Sequence, residues 1–85
     1  MSTVANPYIE ISADGHVRIR GTGFKVRILA EEYLHEMTPT ELCEAHPHLS
    51  LSQIDGALAY YYDHKDEFDR QIEELNRFAE AFFAQ

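Results

Sequence analysis

Thr38-Pro39-Thr40-Glu41-Leu42-Cys43-Glu44-Ala45-His46-Pro47-His48-Leu49-Ser50-Leu51-Ser52-Gln53-Ile54 contains two helix starts back to back. Thr38 stands as an N-cap, Pro39 suits the first helical position, and Glu41 completes a capping box. Met37 and Leu42 are placed to form a hydrophobic staple across that start. Pro47 disfavours helical geometry at His46, so the first of these helices is short. Ser50 then caps a second helix, Gln53 answers it, and Leu49 can staple to Ile54. Two capped helices joined by so few residues point to a helical core with tight turns.

Downstream, Leu51, Ile54, Ala57, Leu58 and Tyr61 share one helix face. Phe68, Ile72, Leu75, Ala79 and Phe82 continue with spacings of four, three, four and three. Lys65 interrupts the apolar stripe, so a break or bend is expected near Asp63-His64-Lys65. Upstream, Val26, Leu29, Ala30, Tyr33, Leu34 and Met37 predict a helix over about residues 25–36. Before it, Ile9 and Ile11, then Val17 and Ile19, alternate with polar residues as two short strands do.

The loop between the strands allows two registers. A two-residue Asp14-Gly15 turn would set Ile11 opposite Arg18. A three-residue Ala13-Asp14-Gly15 loop, with Gly15 left-handed, sets Ile11 opposite Val17, Ile9 opposite Ile19 and Glu10 opposite Arg18. The second is preferred, because it gives one apolar face and one charge pair. The fold class expected is mainly α with a short N-terminal β-hairpin: a helix-turn-helix or homeodomain-like three-helix core over residues 1–64, and a C-terminal amphipathic helix over 65–85.

The chain has 85 residues, 45% of them apolar, which excludes disorder by composition and leaves room for one domain. A domain of this size hides only about 60% of its unfolded surface, so a homodimer or a partner is expected to complete its core. One cysteine, Cys43, excludes an intramolecular disulfide and suits a reducing compartment. No signal-peptide pattern opens the chain and no run reaches the length of a membrane span, so a cytoplasmic, non-membrane protein is expected.

The net charge of −8 is divided. Residues 1–30 carry four basic and two acidic side chains, a net +2; residues 31–85 carry three basic and thirteen acidic ones, a net −10. No Lys or Arg occurs from Ile28 to His64. In a helix-turn-helix the second helix enters the major groove, and here that helix offers Gln53 to a base edge but Asp55 and Asp63 to phosphate. Candidate nucleic-acid contacts are therefore Arg18, Arg20, Lys25 and Arg27 of the hairpin end, with Gln53.

Cys43, His46 and His48 are too few for a zinc site and lack a second cluster, so no metal or cofactor is expected. Cys43 with a histidine lacks a recognisable oxyanion donor, and no catalytic residues are assigned. Tyr60-Tyr61-Tyr62 point three ways on a helix, so one or two belong to the core.

Five segments together resemble a known family, domain of unknown function 433. They are Ile19-Arg20-Gly21-Thr22, the helix from Val26 to Leu34, Thr38-Pro39-Thr40-Glu41-Leu42, His46-Pro47-His48-Leu49-Ser50-Leu51, and Ala57-Leu58-Ala59-Tyr60-Tyr61-Tyr62-Asp63-His64. The family pattern has Arg and then Pro close behind the glycine-threonine, where this chain has Gly23-Phe24-Lys25. The resemblance implies a VapB-like antitoxin that binds and neutralises a PIN-domain ribonuclease toxin. The alternative is a DNA-binding autorepressor acting on operator DNA. On the antitoxin reading, the C-terminal helix meets the partner or a second copy through Phe68, Ile72, Leu75, Phe78 and Phe82. The resemblance also suggests Arg70 and Arg77 as arginines able to enter a carboxylate-lined site; pairing within the helix, Asp66 with Arg70 and Glu73 with Arg77, is the simpler use of them.

Overall fold

A computed structural model describes residues 6–83. Strands β1 (Ile9–Ile11) and β2 (Val17–Ile19) are followed by helices α1 (Val26–Leu34), α2 (Pro39–Ala45), α3 (Leu51–Asp63) and α4 (Lys65–Phe83). The class is that expected: mainly helical, with one short antiparallel hairpin.

The hairpin takes the three-residue-loop register, with Ile9 opposite Ile19, Glu10 opposite Arg18 and Ile11 opposite Val17. Gly15 has φ 85°, a conformation in which a side chain is strained. Asp14 closes the turn by accepting from the Ser12 hydroxyl and the His16 amide. The expected Glu10–Arg18 charge pair does not form. Arg18 finds three acceptors elsewhere: Ser12 Oγ at 3.0 Å, the Gly23 carbonyl at 2.8 Å and Asp14 Oδ2 at 3.1 Å. Glu10 instead lies 3.8 Å from Arg20. Arg18 thereby ties the turn to the segment entering α1, where it also bridges backbone to backbone with Lys25.

Helix α1 buries Val26, Leu29 and Ala30 and stops at Leu34, short of the expected end near 36. The stop is a Schellman closure: the Glu36 amide donates to the Tyr33 carbonyl and the Met37 amide to the Glu32 carbonyl. Glu36 occupies the left-handed position with φ 71°, where glycine is usual. No residue in the chain announces this stop, which is why periodicity overran it.

Both capping boxes are formed. Thr38 Oγ accepts from the Glu41 amide and Glu41 Oε1 from the Thr38 amide; Ser50 and Gln53 repeat the exchange. Leu42, Leu49, Ile54, Ala57, Leu58 and Tyr61 enter one core with Ile9, Ile19 and the buried face of α1. Helix α3 lies at its centre, packed on α1, α2 and β1. Gly56 is the close approach on its outer side: a Cβ there would come within 3.0 Å of Tyr8, and the Gly56 carbonyl accepts from Asn6 Nδ2 at 2.8 Å. The helix ends at Asp63, with His64 at φ −125° as C-cap, so the expected break is present.

Two substitutions test these local claims. Ser50→Ala removes one box and should cost about 1 kcal/mol, or roughly 4–8 °C of melting temperature for a domain of this size. Glu36→Gly relieves the left-handed position and should raise the melting temperature, by about 0.5–1 kcal/mol of stability. Thermal unfolding followed by circular dichroism reads both.

Candidate functional site

Helix α4 begins by joining the core. Phe68 and Ile72 are buried beside Tyr61, at 5.9 Å between the Phe68 and Tyr61 rings. Tyr61 is itself fully buried, and its hydroxyl donates to Asp69 Oδ1 at 2.6 Å. Lys65 donates to the other oxygen of the same carboxylate. One acidic side chain thus anchors α4 to α3 from both sides of the break at His64.

Beyond Ile72 the stripe leaves the core. Leu75, Phe78 and Phe82 are 47%, 73% and 64% exposed on a helix whose first turns are fixed. So of the residues expected to meet a partner, Phe68 and Ile72 are turned into this chain's own core, whereas Leu75, Phe78 and Phe82 lie at the surface. Arg77 pairs with Glu73 at 3.1 Å, as helical spacing suggests; Arg70 is exposed and has no ion pair with Asp66. Leu75 and Phe78 form one wall of an open cleft of about 590 Å³ between α4 and the hairpin turn. Its opposite wall holds Asp14, His16, Lys25 and Arg27.

The basic residues expected to touch nucleic acid are mostly engaged within the chain. Arg18 has the three acceptors given above. Arg20 donates to the Pro7 and Ile9 carbonyls, the latter at 2.9 Å. Arg27 forms an ion pair with Glu31 one turn on. Lys25 is the exception: its ammonium has no ion-pair partner among the described residues. Gln53 spends its side-chain oxygen on the Ser50 amide as part of the cap. The exposed positions of α3 include Ser52, Asp55, Ala59 and Asp63, which gives that face no cation for phosphate.

Cys43 donates its thiol hydrogen to the Leu49 carbonyl at 3.5 Å. His46 meets Glu32 at 2.7 Å and packs edge-on against Phe24 at 4.7 Å. Among the described residues, no three His, Cys, Asp or Glu side chains gather closely enough to hold a metal ion. In the tyrosine run, Tyr61 is core, Tyr60 stacks at 4.2 Å on His64, and Tyr62 is exposed with its hydroxyl 2.6 Å from that of Tyr33.

These features describe a small scaffold with an apolar helix end at the surface. Residues 12–61 match the family described as protein of unknown function DUF433, and the chain belongs to it. A solved structure, the crystal structure of a DUF433 member protein from Anabaena variabilis ATCC 29413 at 2.00 Å resolution, is similar. It shares 28% identity over 78% of this chain and 68% of that one, with a TM-score of 0.69. No curated protein matches the chain. Among the described residues, no helix is long and apolar enough to cross a membrane.

The anchor of α4 carries a pH dependence. The hydrogen bond from Lys65, then that from Tyr61, holds the Asp69 carboxyl below its ordinary value of 3.8. A carboxylate lowered by folding stabilises the folded state above its unfolded pKa and loses that contribution as pH falls through the folded one. The Asp14 carboxyl of the hairpin turn is likewise held well below the carboxylate range, chiefly by the Ser12 hydroxyl. Acidification below about pH 4 should therefore loosen α4 from α3, seen as loss of the near-ultraviolet tyrosine signal. In Asp69→Asn that loss should be smaller across the same range, from a lower starting stability at neutral pH.

Proposed function

We propose that this protein is a non-catalytic interaction module of the antitoxin type, which binds a PIN-domain ribonuclease and holds it inactive. The observation that carries the reading is the second half of α4, where Leu75, Phe78 and Phe82 stand at the surface of a helix whose first half is locked into the core. An amphipathic helix offered in this way fits the groove of a partner protein, with aromatic side chains as anchors. The nuclease class comes from the family resemblance. In this reading α2 and α3 form a helix-turn-helix-like pair that serves as scaffold. DNA binding is the lesser reading, since three of the four hairpin cations are held by groups of the chain itself.

Co-expression with the adjacent reading frame tests it. The expected result is a co-purified complex in which the partner's ribonuclease activity is suppressed. Phe78→Glu should weaken that complex by at least about 30-fold, the size of an interface hot spot. An adjacent frame with no nuclease character, with nothing co-purifying, rejects the reading. A salt-sensitive gel shift of the promoter by the chain alone, lost on Lys25→Glu, would favour the DNA-binding alternative.

A further inference from the structure

We propose that the cavity between the hairpin turn and α4 is a site for a free α-amino acid with an apolar side chain, whose carboxylate meets Lys25 and whose ammonium group meets Glu67. This goes beyond the antitoxin reading and does not depend on it.

The cavity lies where four elements meet. The hairpin turn gives His16, the start of α1 gives Lys25 and Arg27, the end of α3 gives Tyr60, and α4 gives Glu67 and Phe68. Only the tertiary fold brings residues so far apart in sequence to one space. The cavity volume is about 70 Å³. A cavity of about 150 Å³ is what holds benzene. A polar head of a few atoms therefore fits here, and a ring does not.

The charges on the walls define that head. Lys25 is half-buried and Glu67 lines the same space, yet neither has an ion pair among the described residues. Two opposite charges on one small cavity are thus too far apart to close on each other. A ligand carrying both signs fills the gap and meets both by charge-assisted hydrogen bonds. The Glu67 charge is also felt on the aromatic wall: burial first, and then Glu67, holds the Tyr60 hydroxyl above its ordinary value of 10.0.

The other charges nearby are balanced. Arg27 is paired with Glu31, and Asp14 with Arg18. His16 and His64, which also line the cavity, add no charge when neutral. One charge of each sign is left for a ligand. A simple oxyanion would face Glu67 and a simple amine would face Lys25, whereas a zwitterion leaves neither charge opposed.

The side chain of the amino acid leaves by the adjoining cleft. The cavity shares His16, Lys25, Arg27 and Gln71 with the cleft of about 590 Å³ described above, so the two adjoin. Leu75 and Phe78 offer apolar surface there, and Glu74 lines the same cleft without an ion pair among the described residues. An apolar side chain such as that of phenylalanine packs on Leu75 and Phe78. An acidic side chain meets Glu74 and is rejected.

Titration of the full chain with L-phenylalanine, followed in amide NMR spectra, tests the proposal. Saturable shifts at the cavity residues are expected, with a dissociation constant on the order of 1 mM for so small a ligand. Phenylpropionate, which lacks the ammonium group, and phenethylamine, which lacks the carboxylate, should each bind at least about tenfold more weakly, as should L-glutamate. Lys25→Met and Glu67→Gln should each weaken L-phenylalanine by at least about tenfold. Arg70→Gln, which removes an exposed charge of α4 outside the cavity, should not. Glu67→Gln should also erase the preference over phenylpropionate, and Lys25→Met the preference over phenethylamine, an exchange that a merely structural role does not produce. Circular dichroism checks that the variants fold, and the ligand series on the wild-type chain stands without them. No saturable shift by about 10 mM, phenylpropionate or phenethylamine binding as tightly as the amino acid, or wild-type affinity in both folded variants overturns the proposal.

Discussion

The hydroxyl of Tyr61 decides how the molecule is put together. The side chain is fully buried at the centre of the helical core, and a buried hydroxyl without an acceptor costs about 1–3 kcal/mol. The acceptor is Asp69, eight residues on and beyond the break at His64. That bond fixes the rotation of α4 about its own axis, because Asp69 must face α3. Once it does, Phe68 and Ile72 on adjacent positions are driven inward. The helix is 19 residues long, and the core that Tyr61 occupies reaches only its first turns. The apolar stripe continues past the core, and its remainder is displayed by the same rotation that buries its beginning.

The hairpin solves a complementary problem. Two three-residue strands are too short to be stable alone, so they are tied to the helices by side chains as well as by packing. Arg18 links the turn to the entry of α1, and Arg20 holds the carbonyls leading into β1. Three of the four cations at the positively charged end of the sequence thus have acceptors within the chain. Cations that satisfy backbone carbonyls and a turn carboxylate are structural, and each must be released before it can neutralise a phosphate. Lys25 caps α1 by position and not by side-chain hydrogen bond, and has no ion pair among the described residues.

What could be read from the sequence follows the range of the interactions. Both capping boxes, the short α2 and the break near His64 depend on residues within four or five positions of one another, the hairpin register on residues within ten, and all are present. The end of α1 was missed because Glu36 takes a conformation that its residue type does not signal. The Glu10–Arg18 pair was inferred from register alone, and cross-strand opposition does not say which of several acceptors an arginine will choose. The division of the α4 stripe into a buried and an exposed half was not legible. Phe68 and Phe78 occupy the same periodic pattern, and only the reach of the core separates them.

That separation also bears on stability. A helix segment of about ten residues is marginal in water without tertiary support. The second half of α4 is continuous with an anchored first half, which supplies the costly nucleus, and is reinforced by the Glu73–Arg77 pair. A surface pair of this kind contributes only a few tenths of a kcal/mol. Its helical form therefore depends on the upstream anchor, and the anchor depends on Asp69 remaining ionised between Lys65 and Tyr61. An apolar surface presented on such an element is pre-formed enough to dock at low entropic cost. It is also large enough to be a liability if left in water. The two properties have one cause: the core of this 85-residue chain reaches only the first turns of α4.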